Sequence, residues 1–213
     1  MSERQPTITT PAGTARYPRL NTPDTTFEDE GIYKCELLVT EEEAGALKKQ
    51  LDALYKDAFA AKKAELGKKT LTKYAGEVIY QDDEGNWVIK TKRKAQITAR
   101  DGTVHKRRIA LFDSTGAPMA GEKIIGGGST VKLCVRPKFW FVSALGFGLT
   151  LELIAVQVVD FVEYHPGVQT AASAGFTAVE GGYVHGGETF DGELDKEEDG
   201  EAEDTEQPLT AKF

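Results

Sequence analysis

Cations and aromatic rings are the residues of this sequence whose types and spacing could do chemistry. Between Trp87 and Ile97, lysines stand at every second position, namely Lys90, Lys92 and Lys94. Because successive side chains of a strand point to opposite faces, this spacing predicts a stripe of positive charge on one face. Such a stripe can neutralise phosphates, but it is equally typical of a solvated sheet face or of an edge strand that lysine protects from aggregation.

Further cations fall on the strands predicted next along the chain, and they are Lys106, Arg107, Arg108, Lys132, Arg136 and Lys138. Residues 86–140 carry twelve basic residues against three acidic ones, a net charge of +9. Residues 188–213 carry eleven acidic residues against two lysines, a net charge of -9, in a chain whose total is -8. This segregation of charge predicts a nucleic-acid-binding surface and an acidic interaction tail.

Three adjacent rings follow two of these cations in the segment Arg136-Pro137-Lys138-Phe139-Trp140-Phe141. An exposed ring can stack on an unpaired base, which is worth about 1–3 kcal/mol per base, whereas a duplex offers no free base face. Three successive rings of an extended chain cannot all point into one core, so we expect at least one to be exposed. Large aromatic residues are mostly buried, however, and the core remains the alternative for Trp140, Tyr33 and Tyr74.

No spacing in the sequence is typical of catalysis or of metal binding. The three histidines lack the partners of known motifs, and the two cysteines, Cys35 and Cys134, are about a hundred positions apart without a Cys-x-x-Cys pair. Gly121 and Gly126 have the spacing of a phosphate-binding loop, but Gly127 replaces its lysine. We therefore expect no enzyme, no metal and no other cofactor, and we interpret residues 124–128 as a turn whose backbone closely approaches a neighbour.

The elements that must position these residues can be predicted from periodicity. Residues 32–39 alternate as a half-buried strand, Thr40 and Glu43 form a capping box, and a helix over 41–66 ends at Gly67. Strands separated by turns follow at 77–80, 87–99, 104–112, 129–136 and 147–162. This order predicts a mainly β fold, a small antiparallel barrel or sandwich with one packed helix.

Composition divides the chain into three parts. Residues 1–30 contain four prolines and are interpreted as an N-terminal arm with a short strand around Ala15–Leu20, residues 31–167 as the folded domain, and residues 168–213 as a flexible linker and acidic tail. The longest apolar stretch, 145–162, is interrupted by polar residues, which argues against a transmembrane helix. The first residues lack the apolar segment of a secretory signal, so we expect an intracellular protein.

Short motifs in a shared order are similar to those of the single-stranded-DNA-binding proteins of T7-like bacteriophages. They are Gly13-Thr14-Ala15, Pro23-Asp24, Gly31-Ile32-Tyr33-Lys34, Gly67-Lys68-Lys69 with Leu71, Tyr74 and Gly76, Ile124-Ile125-Gly126-Gly127-Gly128-Ser129, and Pro137 to Trp140 with Gly146. The acidic tail ending in Phe213 also resembles that family. The sequence departs from the family pattern in two places. Leu66 stands where the family can have a cation, and residues 208–212 are not acidic.

The resemblance implies an OB-fold-like five-stranded barrel with single-stranded DNA lying across its basic and aromatic face. It also implies a role in phage DNA replication and recombination in the host cytoplasm. The tail would contact phage proteins such as the DNA polymerase and the helicase/primase when it does not cover the groove. Carried over to this chain, Lys68 and Lys69 represent the basic loop, and Trp140 and Tyr33 the aromatic contacts.

We therefore expect sequence-tolerant binding of single-stranded DNA by a non-enzymatic protein. The candidate contacts are Tyr33, Lys68, Lys69, Tyr74, Trp87, Lys90, Lys92, Lys94, Lys106, Arg107, Arg108, Lys132, Arg136, Lys138, Phe139 and Trp140, with Phe213 as the partner contact of the tail. The alternatives are an RNA-binding or duplex-binding module and an acidic-tailed structural or chaperone-like protein. Val131, Leu133 and the strand from Phe147 could serve a homodimer interface as well as a core.

Overall fold

Most of the regular structure consists of strands in which apolar and polar residues alternate. The structure is a computed structural model and describes residues 6–67, 71–99, 101–119, 123–164, 177 and 179–181. The strands in this part of the chain are β1 (Ile8–Thr9), β2 (Gly13–Asp24), β3 (Ile32–Val39), β4 (Ile79–Gln81), β5 (Trp87–Lys94), β6 (Gln96–Thr98), β7 (Val104–Lys106), β8 (Ala110–Phe112), β9 (Thr130–Val142) and β10 (Gly146–Asp160). A single helix, α1 (Glu41–Leu66), lies between β3 and β4.

Five of the strands form a closed ring. Their order is β9-β2-β3-β5-β10, and β10 pairs back onto β9 along thirteen residue pairs. The other pairings within the ring are antiparallel, but β10 runs parallel to β5. The predicted fold class, a mainly β OB-like fold with one helix, is confirmed.

The interior of the ring is filled by the inward-facing residues of each strand. On β9, Val131, Leu133 and Val135 are fully buried, whereas Lys132 and Arg136 of the opposite face are half-buried. Fully burying a Val or Leu side chain stabilises the folded state by about 1.5–3 kcal/mol. The alternation that fills the core therefore also fixes which side chains lie on the outer face.

Helix α1 begins and ends as its sequence predicts. The Thr40 hydroxyl accepts from the Glu43 backbone N–H, and the Glu43 carboxylate accepts from the Thr40 N–H at 3.1 Å, which completes the capping box. The helix ends at Gly67, whose φ of 64° is favourable only for glycine. The Tyr55 hydroxyl donates to the Phe147 carbonyl at 2.7 Å, and burial raises the pKa of Tyr55.

Residues 1–30 contribute a long strand to the ring, whereas the sequence predicts only an arm with a short strand. The short strand expected around 15–20 is the twelve-residue β2, which pairs with β3 and β9 and buries Ala15 and Leu20. The prolines favour an irregular arm in the sequence, but Pro18 is compatible with a strand. It lies where the β2–β3 register shifts, between Arg16 and Arg19, so its missing N–H interrupts no regular ladder.

The chain divides into two compact units, Met1–Tyr164 and His165–Phe213. All the elements above belong to the first unit. Most of the predicted linker and tail, including Phe213, lies outside the described residues. In the part of the chain that the structure describes, no helix combines the length and the apolar character that crossing a membrane requires.

Candidate nucleic-acid interface

The lysine stripe of β5 lies on the outer face of the ring. Lys90, Lys92 and Lys94 are exposed, whereas Thr91 between them is 1% exposed. The predicted alternation is therefore confirmed. Lys34 of β3 is the cross-strand partner of Lys92, which extends the stripe onto the neighbouring strand.

Strand register brings the cations of β9 onto the same face. Lys92 lies opposite Glu152 of β10, and Glu152 in turn lies opposite Arg136 of β9. Cross-strand partners point to the same face of a sheet, and so do residues two and four positions further along a strand. Lys138 and Trp140 therefore share their face with the lysine stripe.

Lys92, Lys94, Lys138 and Trp140 meet in a groove of about 300 Å³ that we call the central groove. It is lined by Glu28, Ile32, Lys92, Arg93, Lys94, Ile97, Arg107, Lys138, Trp140, Thr150 and Glu152. Among these lining residues, five are cations and two are carboxylates, so the groove is electropositive. A flat ring and a cluster of positive charges thus occupy one concave surface.

Trp140 is held at the edge of this groove with its ring half-buried. Its indole N–H donates to the Thr150 hydroxyl at 3.1 Å, and its ring meets that of Tyr74 edge-on at a centroid distance of 4.9 Å. The indole also lies against Gly148, where an added Cβ would overlap it. Tyr74 is 40% exposed. These contacts fix the orientation of Trp140 without sealing it inside.

The rings on either side of Trp140 point the other way. Phe139 stacks on Phe147 with centroids 6.0 Å apart and also contacts Tyr55 of α1, and the Lys62 ammonium lies 5.6 Å from the centre of the Phe141 ring. None of the three rings is fully exposed as we expected, since all three are half-buried, but Trp140 is the one of the three that lines the central groove. Phe139 is half-buried on the helix side, so it is withdrawn as a contact.

Two other predicted aromatic contacts belong to the core. Tyr33 is 6% exposed because it shares the inward face of β3 with Cys35 and Leu37. Trp87 is half-buried and packs against the same core cluster. Neither ring is presented for stacking on the outer face, and both predictions are corrected accordingly.

Three guanidinium groups surround Glu152 at the floor of the groove. Arg107 donates to Glu152 at 2.8 Å and also donates to the Lys94 carbonyl, while Arg136 lies 3.9 Å from the second carboxylate oxygen of Glu152. Arg93 donates to the Leu153 carbonyl at 3.3 Å. One carboxylate cannot balance three guanidinium groups, so net positive charge remains.

The arginine cluster also holds unused donors. Within the described residues, the buried Nε atoms of Arg93 and Arg136 have no hydrogen-bond partner. Burial lowers the pKa of Arg93, and the nearby charge of Arg107 lowers it further. Guanidinium groups bind phosphate oxygens through charge-assisted hydrogen bonds, so the net positive charge of the cluster, rather than these buried Nε atoms, is suited to a phosphate.

Carboxylates that precede β3 partly neutralise the lysines. The Lys94 ammonium lies 2.9 Å from Glu30 and 3.8 Å from Glu28, and the hydrogen bond that it donates to Glu30 raises the pKa of Lys94. Lys34 pairs with Asp24, and this hydrogen bond holds the pKa of Asp24 well below its usual range. A polyanion that enters the groove must displace these carboxylates from the lysines.

The remaining predicted cations lie further away or are not described. Lys106 is exposed on the separate β6–β7 hairpin, and Arg108 is exposed just after it, but neither lines the central groove. Lys132 shares the outward face of β9 but lies four residues from Arg136, which is about 13 Å along a strand. Lys68 and Lys69 fall outside the described residues.

Arg93, Glu152, Thr150 and Gly148 are site residues that the sequence did not reveal. Arg93 alternates with the lysine stripe, so the period of two did not single it out as a site residue. The other three belong to β10, whose pairing with both β5 and β9 brings them into the groove. The run of apolar residues along β10 signals a buried strand but does not signal these neighbours.

A closed ring of five strands with one helix and a basic, aromatic groove across its outer face defines an OB-like nucleic-acid-binding protein. The family model described as "Single-stranded DNA-binding protein, Bacteriophage T7" matches residues 12–161. The chain therefore belongs to this family of single-stranded-DNA-binding proteins.

Solved structures agree with this assignment at the level of the fold. The crystal structure of gp2.5 of bacteriophage T7, a single-stranded DNA-binding protein, matches with a TM-score of 0.67 and 22% identity over 85% of this chain and 99% of that one. The single-stranded DNA-binding protein of bacteriophage Enc34 in complex with single-stranded DNA matches with a TM-score of 0.52 and 20% identity over 74% of this chain and 88% of that one. No curated protein sequence matches.

Proposed function

We propose that this protein binds single-stranded DNA in the central groove without reading its sequence. The observation that carries the proposal is that Trp140 and five cations line one groove. The cations would neutralise phosphates, and Trp140 with Tyr74 would stack on an unpaired base. Each stacked base is worth about 1–3 kcal/mol.

The lining of the groove favours tolerance of sequence. Of the described residues that line it, none is Asn or Gln, the side chains that commonly read adenine. The fork of Arg107, which could otherwise read guanine, is bonded to Glu152 and to the Lys94 carbonyl. Charge and stacking then dominate the binding, and neither depends on the identity of the base.

The proposed contact set follows from the geometry. Its centre consists of Tyr74, Lys90, Lys92, Lys94, Arg107, Arg136, Lys138 and Trp140. Lys106, Arg108 and Lys132 would contribute only at longer range. Lys68 and Lys69 lie outside the described residues and are kept as contacts on the family resemblance of their basic loop.

Family membership supports a role in phage DNA replication and recombination in the host cytoplasm, as a protein without catalytic activity, and the Enc34 complex supports the binding of single-stranded DNA. The acidic tail would compete with DNA for the groove, because a tethered polyanion is present there at high effective concentration. When displaced by DNA, the tail and its terminal Phe213 would contact replication proteins such as the phage DNA polymerase and helicase/primase. A homodimer is compatible with this role.

Fluorescence of Trp140 tests the proposal. The chain contains two tryptophans, so Trp87→Phe leaves Trp140 as the sole reporter. We expect oligo(dT) to quench its fluorescence and a duplex of equal length to bind far more weakly. The logarithm of the binding constant should fall with the logarithm of the salt concentration, with a slope of about -0.7 per neutralised phosphate.

Three outcomes would refute the proposal. Comparable affinity for single strand and duplex would favour a duplex-binding or structured-RNA-binding module. Tight binding of oligo(dT) without any change in Trp140 fluorescence would place the single strand elsewhere on the protein. Absence of nucleic-acid binding, with or without the tail, would favour a structural or chaperone-like role.

A further inference from the structure

A second pair of rings, Tyr17 and Tyr164, lies on the folded unit and is not used by the proposed site. Tyr17 is 71% exposed and Tyr164 is 46% exposed. Both line a groove of about 440 Å³, together with Arg19, Lys34 and Ile124. We call it the Tyr17 groove, and it combines exposed rings with cations as the central groove does.

The exposure of Tyr17 is imposed by the backbone. Among the described residues other than glycine, Tyr17 alone has a positive φ, of 49°. The register of β2 against β3 shifts between Arg16 and Arg19, and a bulge of this kind re-aims a side chain. The Arg16 guanidinium lies 5.6 Å from the centre of the Tyr17 ring and is itself held by Glu36 and Asp82.

A strained residue persists only where its surroundings hold it, and such residues cluster at functional sites. An exposed apolar ring gains little from burial, so folding alone does not explain why this backbone conformation is maintained at Tyr17. Its orientation toward a cation-lined groove supplies a reason.

A shallow hollow joins the two grooves. It has a volume of about 230 Å³ and is lined by Tyr17, Ile32, Lys34, Lys90 and Lys92 among others. It shares Ile32 and Lys92 with the central groove and shares Tyr17 and Lys34 with the Tyr17 groove. The three depressions therefore form one continuous track across the outer face.

The length of the track can be estimated from the sheet. From Trp140 on β9 it crosses β10, β5 and β3 to Tyr17 on β2, which is four strand spacings of about 4.8 Å, or about 19 Å. Lysines from β5 and β3 lie along the way. The track is thus electropositive throughout and has a pair of rings at each end.

We propose that a single DNA strand follows this track and that Tyr17 and Tyr164 form a second stacking station for its bases. This inference rests on the proposed function and adds to it the path of the bound strand and the length of the surface that it covers. Because the two stations lie at opposite ends of the track, only a strand long enough to span it reaches both.

The test compares two strand lengths in the full chain. The double variant Tyr17→Asn/Tyr164→Leu removes both rings, and Asn tolerates a positive φ. The matched control, Tyr17→Phe/Tyr164→Phe, retains them. Oligo(dT) of about four and about sixteen nucleotides covers the range of sites found for one OB fold.

We expect the ring-less variant to lose at least about five-fold in affinity for the long oligomer, with no change for the short one. The Phe control should bind both lengths as the unchanged chain does. Tyr164→Leu alone should give an intermediate loss for the long oligomer, which keeps the test decisive if the double variant unfolds.

Unchanged affinity of the ring-less variant for the long oligomer would overturn the second station, as would an equal loss for both lengths. These results differ from failure of the proposed function itself. If the unchanged chain shows no preference for single strands or no quenching of Trp140, the central groove is refuted. If the unchanged chain prefers single strands and shows quenching of Trp140, but the tyrosine variants bind as tightly as it does, the second station alone is refuted.

Discussion

Trp140 shows how a single residue becomes available for binding. It lies between Phe139 and Phe141, which pack on the helix side, so strand alternation alone selects the ring that reaches the groove. Gly148, its cross-strand partner, leaves the space in which the indole lies. The orientation of the ring therefore depends on the absence of one methyl group.

Gly148→Ala is predicted to weaken binding because the new Cβ would displace the indole of Trp140. We expect the variant to lose about 1–3 kcal/mol of unfolding free energy, as is common for overpacking, and to bind oligo(dT) at least several-fold more weakly. Urea unfolding and fluorescence titration would measure the two effects.

Gly45→Ala is the matched control, since nothing lies within 4 Å of a Cβ added there. It lies on α1, so the change should stabilise the protein by about 0.5–1 kcal/mol and leave DNA binding unchanged. If Gly148→Ala bound oligo(dT) as tightly as the unchanged chain, the fixed orientation of Trp140 would not matter for function.

Sequence predicts side-chain direction well where a strand is regular. The period of two placed Lys90, Lys92 and Lys94 outward, as the structure confirms. The same period places Tyr33 on the side of Cys35 and Leu37, which predicts burial, whereas the family resemblance predicts that Tyr33 contacts DNA. Parity within a strand was the better guide to burial in this case.

At the scale of elements, local signals predicted local structure. The capping box and Gly67 set both ends of α1, and alternation set β3 at its observed bounds. Residues 124–128 were expected to approach a neighbour closely, and a Cβ on Gly126 would lie 3.0 Å from the Val162 carbonyl oxygen and the Tyr164 backbone nitrogen. Each of these predictions depends on a few adjacent residues.

Pairings between distant residues were not predictable in the same way. The parallel pairing of β5 with β10 joins residues about sixty positions apart, and it brings Glu152 beside Lys92. The expected strand over 104–112 is divided into β7 and β8, which pair with different partners. No tight turn joins these distant strands, so the local sequence does not fix their register as a hairpin turn would.

At the scale of the whole molecule, charge is divided between the folded unit and the tail. Residues 188–213 carry a net charge of -9, and residues 86–140 carry +9. Opposite charges on one chain attract, and the attraction is screened by salt over about 10 Å at 0.1 M. Competition between the tail and DNA should therefore be strongest at low ionic strength.

Deletion of residues 188–213 is predicted to tighten binding of oligo(dT) several-fold at low salt, with the effect shrinking as salt rises. The measurement is a pair of titrations at two salt concentrations. A tail of equal length in which the eleven acids are replaced by Gln or Asn should behave like the deletion. Unchanged or weaker binding after deletion would show that the tail does not compete.

The central claim is that single-stranded DNA lies against Trp140 in the central groove and against the adjoining ring of Tyr74, and photo-cross-linking tests it most directly. Oligo(dT) containing 5-iododeoxyuridine would be irradiated in complex with the full chain, and the adducts mapped by mass spectrometry. We predict adducts on Trp140 or Tyr74. Adducts confined to rings outside the central groove, such as the helix-side Phe139 and Phe141, would contradict the claim.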